Sequence, residues 1–140
     1  MAQVSEMVDG IYRICNPPTR DAPISFNQFL IDDERPTLIH TGFYEAYDAV
    51  RAAVAEVLDP KRLAYVVLGH FEADECGGMD RFLVDAPGSA LVASELGAGV
   101  NLAHWGYRGA IKGMRDGDLL EVGRHRLRFL ETLTSITGIQ

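Results

Sequence analysis

The stretch LAYVVLG, Leu63–Gly69, carries no charged side chain and no polar alternation. Such a run suits a strand buried on both faces, and a strand of that kind needs cover on each side of its sheet. Directly after it comes HFEADE, His70–Glu75, with one imidazole and three carboxylates in six residues. A buried strand that ends in a polar cluster is therefore the feature around which the rest of the chain has to be arranged.

The length of 140 residues suffices for one domain with a real core and is short for two. A 47% hydrophobic and 24% charged composition is that of an ordinary soluble globular chain. The net charge of -7, with no basic run or basic helix face, argues against nucleic acid or an anionic membrane as partner. No apolar stretch approaches the roughly 18 residues that span a bilayer. The start, MAQVSEMVDG, has neither the basic nor the apolar region of a signal peptide. Cys15 and Cys76 form no disulfide framework, so a reducing cytoplasm is the expected location.

Organisation follows from periodicity. IYRIC, after Asp9-Gly10, alternates like a strand, and NPPTRDAP is a loop because its prolines cannot serve a central ladder. ISFNQFLIDD and TLIHTG read as two strands joined by a tight polar turn. From Tyr44 the period becomes helical, with Ala46, Val50, Ala53, Val54 and Val57 on one face, and Asp59-Pro60 ends that helix. A short helix over CGGMDRFLV, a strand over SALVAS and a loosened helix over SELGAGVNLAHWGYRG follow. DGDLLEVGRHRLRFLET closes as a hairpin with VGRH at its turn. The expected class is α/β (α+β), a mixed sheet with helices on its outer face.

The strand that ends at Gly69 delivers His70, Glu72 and Asp74 beyond its C-terminal edge, where α/β proteins gather ligands. These three alternate, and alternate residues of an extended segment share a face. One imidazole with two carboxylates is a hard-to-borderline donor set suited to iron, manganese or zinc. The plainer alternative is a charged turn in which Asp74 or Glu75 favours the dipole of the next helix and His70 is a hydrogen-bonded turn residue.

GHFEADECGG resembles the His-x-[Glu/His]-x-Asp metal motif of the metallo-β-lactamase superfamily. The order GIYRI, SFNQFLIDDERPTLIHTG, helix, motif agrees with that superfamily over nearly the whole chain. Glu in the third place is similar to the flavodiiron and oxygen-binding di-iron branch, whereas hydrolytic members such as glyoxalase II have His there. The resemblance implies the N-terminal half of an αββα sandwich. It also implies a two-metal iron site with His70 and Glu72 on one metal and Asp74 on the other, and a redox partner. Two positions depart from the pattern: His40 stands where relatives often have Asp, and Glu75 where they often have His. A carboxylate in place of imidazole stabilises higher-valent iron and favours dioxygen chemistry over hydrolysis by a zinc-bound hydroxide. The rival readings are a metal-dependent hydrolase of the same superfamily and a non-catalytic interaction module.

His104 and Trp105 read as a helix end, with a wall over the metal pocket as the alternative, and His125 reads as an exposed hairpin residue. Cys76 reads as a small packed residue beside the cluster, although a nearby metal would shift its reactivity. Gly77-Gly78 permits close backbone approach but lacks phosphate-loop spacing. Relatives complete the site with a His after the strand that RLRFLET resembles, then a bridging Asp and a later His. LTSITGIQ, after Thr132, has no His, Asp, Glu or Cys. Thr132–Gln140 can be coded so that restoring a single nucleotide reads Thr-Pro-Asp-Val-His-His-Trp-Asp-Ser, close to the family's Thr-Pro…His-Trp-Asp-Ser-Met. The expectation is a chain shortened by a one-nucleotide deletion or a sequencing error. It would lack three partner ligands, bind metal weakly, and expose an apolar sheet face that favours poor solubility or homo-oligomers.

Overall fold

A computed structural model describes residues 1–20, 23–99, 107 and 109–132. Seven strands form one sheet in sequence order: β1 (Gln3–Val8), β2 (Ile11–Asn16), β3 (Phe26–Ile31), β4 (Thr37–Ile39), β5 (Tyr65–Leu68), β6 (Ala90–Ser94) and β7 (Ile111–Met114). The first four pair antiparallel and the last four parallel. Parallel neighbours require crossovers, and helices supply them. α1 (Tyr47–Ala55) links β4 to β5, while α2 (Ala73–Cys76) and α3 (Met79–Asp85) link β5 to β6. A one-turn helix α4 (Glu95–Gly97) follows β6, with the Ser94 hydroxyl accepting from the Gly97 N–H as its cap. No helix among the described residues is long and apolar enough to cross a membrane.

The two faces of β5 are used as its sequence requires. Val66 and Leu68 pack with Val50, Val54, Met79 and Phe82 under the helices. Val67 turns the other way and joins Ile31, Val92 and Met114 beneath Leu120 and Val122. The latter two come with a separate two-stranded hairpin, β8 (Leu119–Glu121) and β9 (Arg126–Arg128). One helical layer on one sheet, with a hairpin across the opposite face, is the N-terminal half of a four-layer sandwich in which the second sheet has only begun.

Several expectations are corrected here. The second face is not bare, because the hairpin buries Val67 and Val92; Phe29, at 37%, is exposed on the same face as Ile31. β1 and β7 were not expected as strands. The helix expected over CGGMDRFLV is two pieces, parted at Gly77-Gly78.

His125 is no exposed hairpin residue. Its Nδ1 lies 2.6 Å from Asp33 Oδ2 and its Nε2 lies 3.0 Å from the Asp9 carbonyl oxygen. Its main-chain N–H donates to the same Asp33 oxygen, and Arg124 bonds the Asp9 carboxylate. This polar clasp fastens the hairpin turn to the β1–β2 and β3–β4 turns. Burial alone would raise the Asp33 carboxyl, but the amides of His125 and Glu34, the His125 ring and the Arg124 amide hold it far below the usual carboxylate range.

A carboxyl depressed in the folded state stabilises the fold above its unfolded value of about 3.9, and that stabilisation is lost as pH falls below it. Asp33→Asn is therefore expected to lower the thermal midpoint at neutral pH and to shrink the difference from wild type as pH is taken down toward about 2. Unfolding scans of both proteins across that range check this.

Candidate metal site

β4, β5 and β6 run parallel, so their C-terminal ends share one edge of the sheet. β5 stops at Leu68, and the next residues climb out of the core into α2. His70 Nε2 lies 2.8 Å from Glu72 Oε1. Glu72 precedes the first turn of α2, yet its side chain caps no helix N–H. The contact is one that a ligand pair would present; it also makes His70 the hydrogen-bonded turn residue of the charged-turn reading, whose Asp74 and Glu75 lie in the first turn of α2.

The expected alternation holds from His70 to Glu72 and ends at Ala73, where helix begins and side chains turn by about 100° per residue. Asp74 thus leaves on the first turn of α2 beside Glu75. Among the described residues, no three His, Cys, Asp or Glu side chains form a group able to hold a metal ion. The donor chemistry suits iron, but the geometry brings two donors together and leaves Asp74 apart from them, so these residues do not by themselves fit a complete metal centre.

The local field is set by crowded carboxylates. The hydrogen bond that His70 donates to Glu72, together with the charges of Glu75, Glu72 and Asp74, raises His70 above its ordinary value against the opposing effect of burial. Burial and then the Asp74 charge raise the Glu75 carboxyl, and Glu75 Oε2 is buried with no hydrogen-bond partner among the described residues. Cys76 is packed, 1% exposed, its thiol donating to the Glu72 carbonyl 2.9 Å away. Burial pushes that thiol up to about 11, so it is structural and not a reactive thiolate. His104 and Trp105 lie outside the described residues.

The exit of β4 supplies His40, which the sequence marked as standing where relatives often have Asp, and Thr41, which the sequence did not mark. His40 adopts a left-handed backbone, φ 62°, and its Nε2 accepts from the Gly69 N–H at 3.2 Å. Burial lowers His40 below its ordinary value, with Asp74 and His70 acting in opposite directions. Thr41 reaches the far end of the loop: its N–H and hydroxyl both donate to the Glu75 carbonyl, at 2.7 and 2.8 Å, and its hydroxyl accepts from Gly78 N–H. The only sequence signal for Thr41 was position, directly after a short strand.

A half-sandwich with a His-x-Glu segment at the end of its central strand defines a protein of the metallo-β-lactamase fold. The chain belongs to the ODP family beta lactamase group, whose family model matches residues 24–133. It is 28% identical over 109 residues to a rubredoxin-oxygen oxidoreductase of Megalodesulfovibrio gigas, covering 77% of this chain and 27% of that protein. It is 32% identical over 73 residues to the flavo-diiron protein FprA2 of Clostridium acetobutylicum, covering 52% of this chain and 18% of the relative. The solved rubredoxin oxygen:oxidoreductase of Desulfovibrio gigas superimposes with a TM-score of 0.81 at 24% identity, over 92% of this chain and 35% of that one. That likeness concerns the fold. The chain spans about a third or less of the length of each of these proteins.

Gly77 is where α2 is pressed against the segment after β4. A Cβ there would lie 2.6 Å from the Ala73 carbonyl oxygen and 2.8 Å from the Phe43 carbonyl carbon, so backbone has to move. Gly77→Ala is expected to destabilise by about 1–3 kcal/mol, the cost of overpacking a close-fitted site. Denaturant titration measures it.

Proposed function

We propose that this chain carries the ligand-bearing part of a di-iron domain that binds or reduces dioxygen, with His70, Glu72 and Asp74 as its iron ligands. The observation that carries the reading is the His70–Glu72 pair at the mouth of β5, 2.8 Å apart, with a carboxylate where a hydrolytic zinc site would place imidazole. The relatives named for oxygen reduction and for a flavo-diiron centre support the same chemistry. Bound iron would supply the electron-transfer and oxygen-binding steps; the protein residues would hold it and set its charge. Glu72 weighs against the hydrolase reading for the same reason.

With two donors converging among the described residues, the site holds metal weakly and turns over slowly without further donors. Electrons would come from a redox protein, and the exposed apolar positions Phe29, Ile111 and Leu119 suit association with a further copy or sheet. Free Cys15 and Cys76 suit a reducing, cytoplasmic setting.

Purification from iron-supplemented cells, followed by metal analysis and gel filtration, tests this. The expected result is less than one iron per chain, removed by chelator and abolished by His70→Ala. Two tightly held irons in a monomer would refute the weak-site part of the reading. Robust zinc-dependent esterase activity would replace iron chemistry with hydrolysis. A stable apo-monomer indifferent to chelator and to His70→Ala would leave only an interaction module.

A further inference from the structure

The outer surface of the helical layer carries an open cleft that shares no residue with the loop 69–78. Its walls are Tyr47 of α1, Lys61 of the turn Pro60–Arg62, and Asp80, Arg81, Val84 and Asp85 of α3. The volume of about 650 Å³ lies within the range of small-molecule sites, about 300–1,000 Å³.

A stacked guanidinium forms part of this cleft. Arg81 Cζ lies 3.8 Å from the centroid of the Tyr47 ring and 5.6 Å from that of Tyr44. Tyr47 is itself 6% exposed and braced by Phe82, the two ring centroids 4.8 Å apart. Arg81 is thus ordered by the fold before any ligand arrives, which lowers the entropic cost of binding one. Its donors are mostly unused. A guanidinium has five N–H donors, and among the described residues Arg81 makes one hydrogen bond, from Nη2 to Asp48 Oδ1 at 3.2 Å. The Asp48 side chain is 85% exposed, and so solvated an ion pair holds its partner weakly.

The other charges of the cleft are unequally committed. Asp85 is taken by Arg51 at 2.6 Å. The Lys61 main-chain N–H bonds the Asp59 carboxylate, while its ammonium has no ion-pair partner among the described residues. Asp80 remains as a carboxylate without a cation among the same residues. Two available cations beside one such carboxylate favour a ligand with a single negative charge over one with two. Val84, 81% exposed, and Pro87 supply an apolar edge.

We propose that this cleft binds a small organic monocarboxylate: the carboxylate on the Arg81 guanidinium, Lys61 as the second cation, and the apolar body against Val84 and Pro87. Arginine and carboxylate pair through two parallel N–H donors, and the single contact to Asp48 leaves donors free for that geometry. Asp48 is then a competitor for the same guanidinium. The site does not rest on the metal reading of His70 and Glu72, and the failure of either leaves the other standing.

Benzoate is the probe, with benzamide as its neutral isostere and inorganic phosphate as an anion without an apolar body. Each is titrated into the whole isotope-labelled chain at constant ionic strength and followed by NMR. Benzoate is expected to give saturable shifts at Lys61 and residues 80–87 with a Kd of about 1 mM, and the other two to bind at least about 10-fold more weakly. Arg81→Gln is expected to weaken benzoate about 10-fold or more through the lost charge-assisted hydrogen bonds. Asp48→Asn is expected to tighten benzoate about 2–3-fold, because the competing carboxylate is gone while Arg81 keeps its place on Tyr47. That gain keeps the test decisive should Arg81→Gln disturb the packing around Tyr47. Absence of saturable shifts in the cleft, equal binding of benzamide or phosphate, or an Asp48→Asn protein that binds benzoate no better than wild type overturns the proposal.

Discussion

The burial of β5 on both faces is the constraint on which the remainder of the structure depends. Val66 and Leu68 need the helical layer, Val67 needs the hairpin, and β4 and β6 occupy both hydrogen-bonding edges. Neither face nor edge is left for polar groups; only the strand's end is. The C-terminal ends of β4 and β6 lie on the same side, so the chain meets its own neighbours where it emerges. The location of His70 and Glu72, and the reach of His40 and Thr41 toward them, follow from this one arrangement of apolar side chains.

How far the sequence disclosed the fold depends on how local each signal was. The run at β5 and the spacing of Val50, Ala53 and Val54 in α1 were legible because burial writes itself into composition and period. β1 escaped because most of its residues are exposed on an edge strand, so QVSEMV turns only Val4 inward; it is held chiefly by main-chain pairing to β2. β7 is similar, with Met114 as its one buried residue. In the site, parity correctly joined His70 to Glu72 and failed at Asp74, because helix replaced extended chain in between. The contacts of His40 and His125 were invisible for a different reason. Each is defined by a partner far away in sequence, Gly69 for one and Asp33 for the other, and nothing beside either residue announces it.

The loop also has an electrostatic character that its sequence states and its geometry intensifies. Burial raises the Glu75 carboxyl, and the charges of Asp74 and Glu72 add to that rise. Protein alone offers His70 as the neutralising group. Carboxylates gathered against one imidazole are a cluster that a divalent cation would compensate, and Asp74 and Glu75, in the first turn of α2, also suit the dipole of that helix.

The clasp between the hairpin turn and the body of the sheet carries a consequence for the order of assembly. Asp33 and His125 are 92 positions apart, and Asp9 and Arg124 are 115 apart. The β1–β4 meander, by contrast, closes between strands that follow one another. Entropy penalises the longer loops first and repays them last, so the hairpin settles after the helical face is already covered. During that interval Val67 and Val92 stand open to solvent, and the lifetime of the half-dressed sheet, more than the stability of the finished one, governs how much of the chain is lost to aggregation during synthesis.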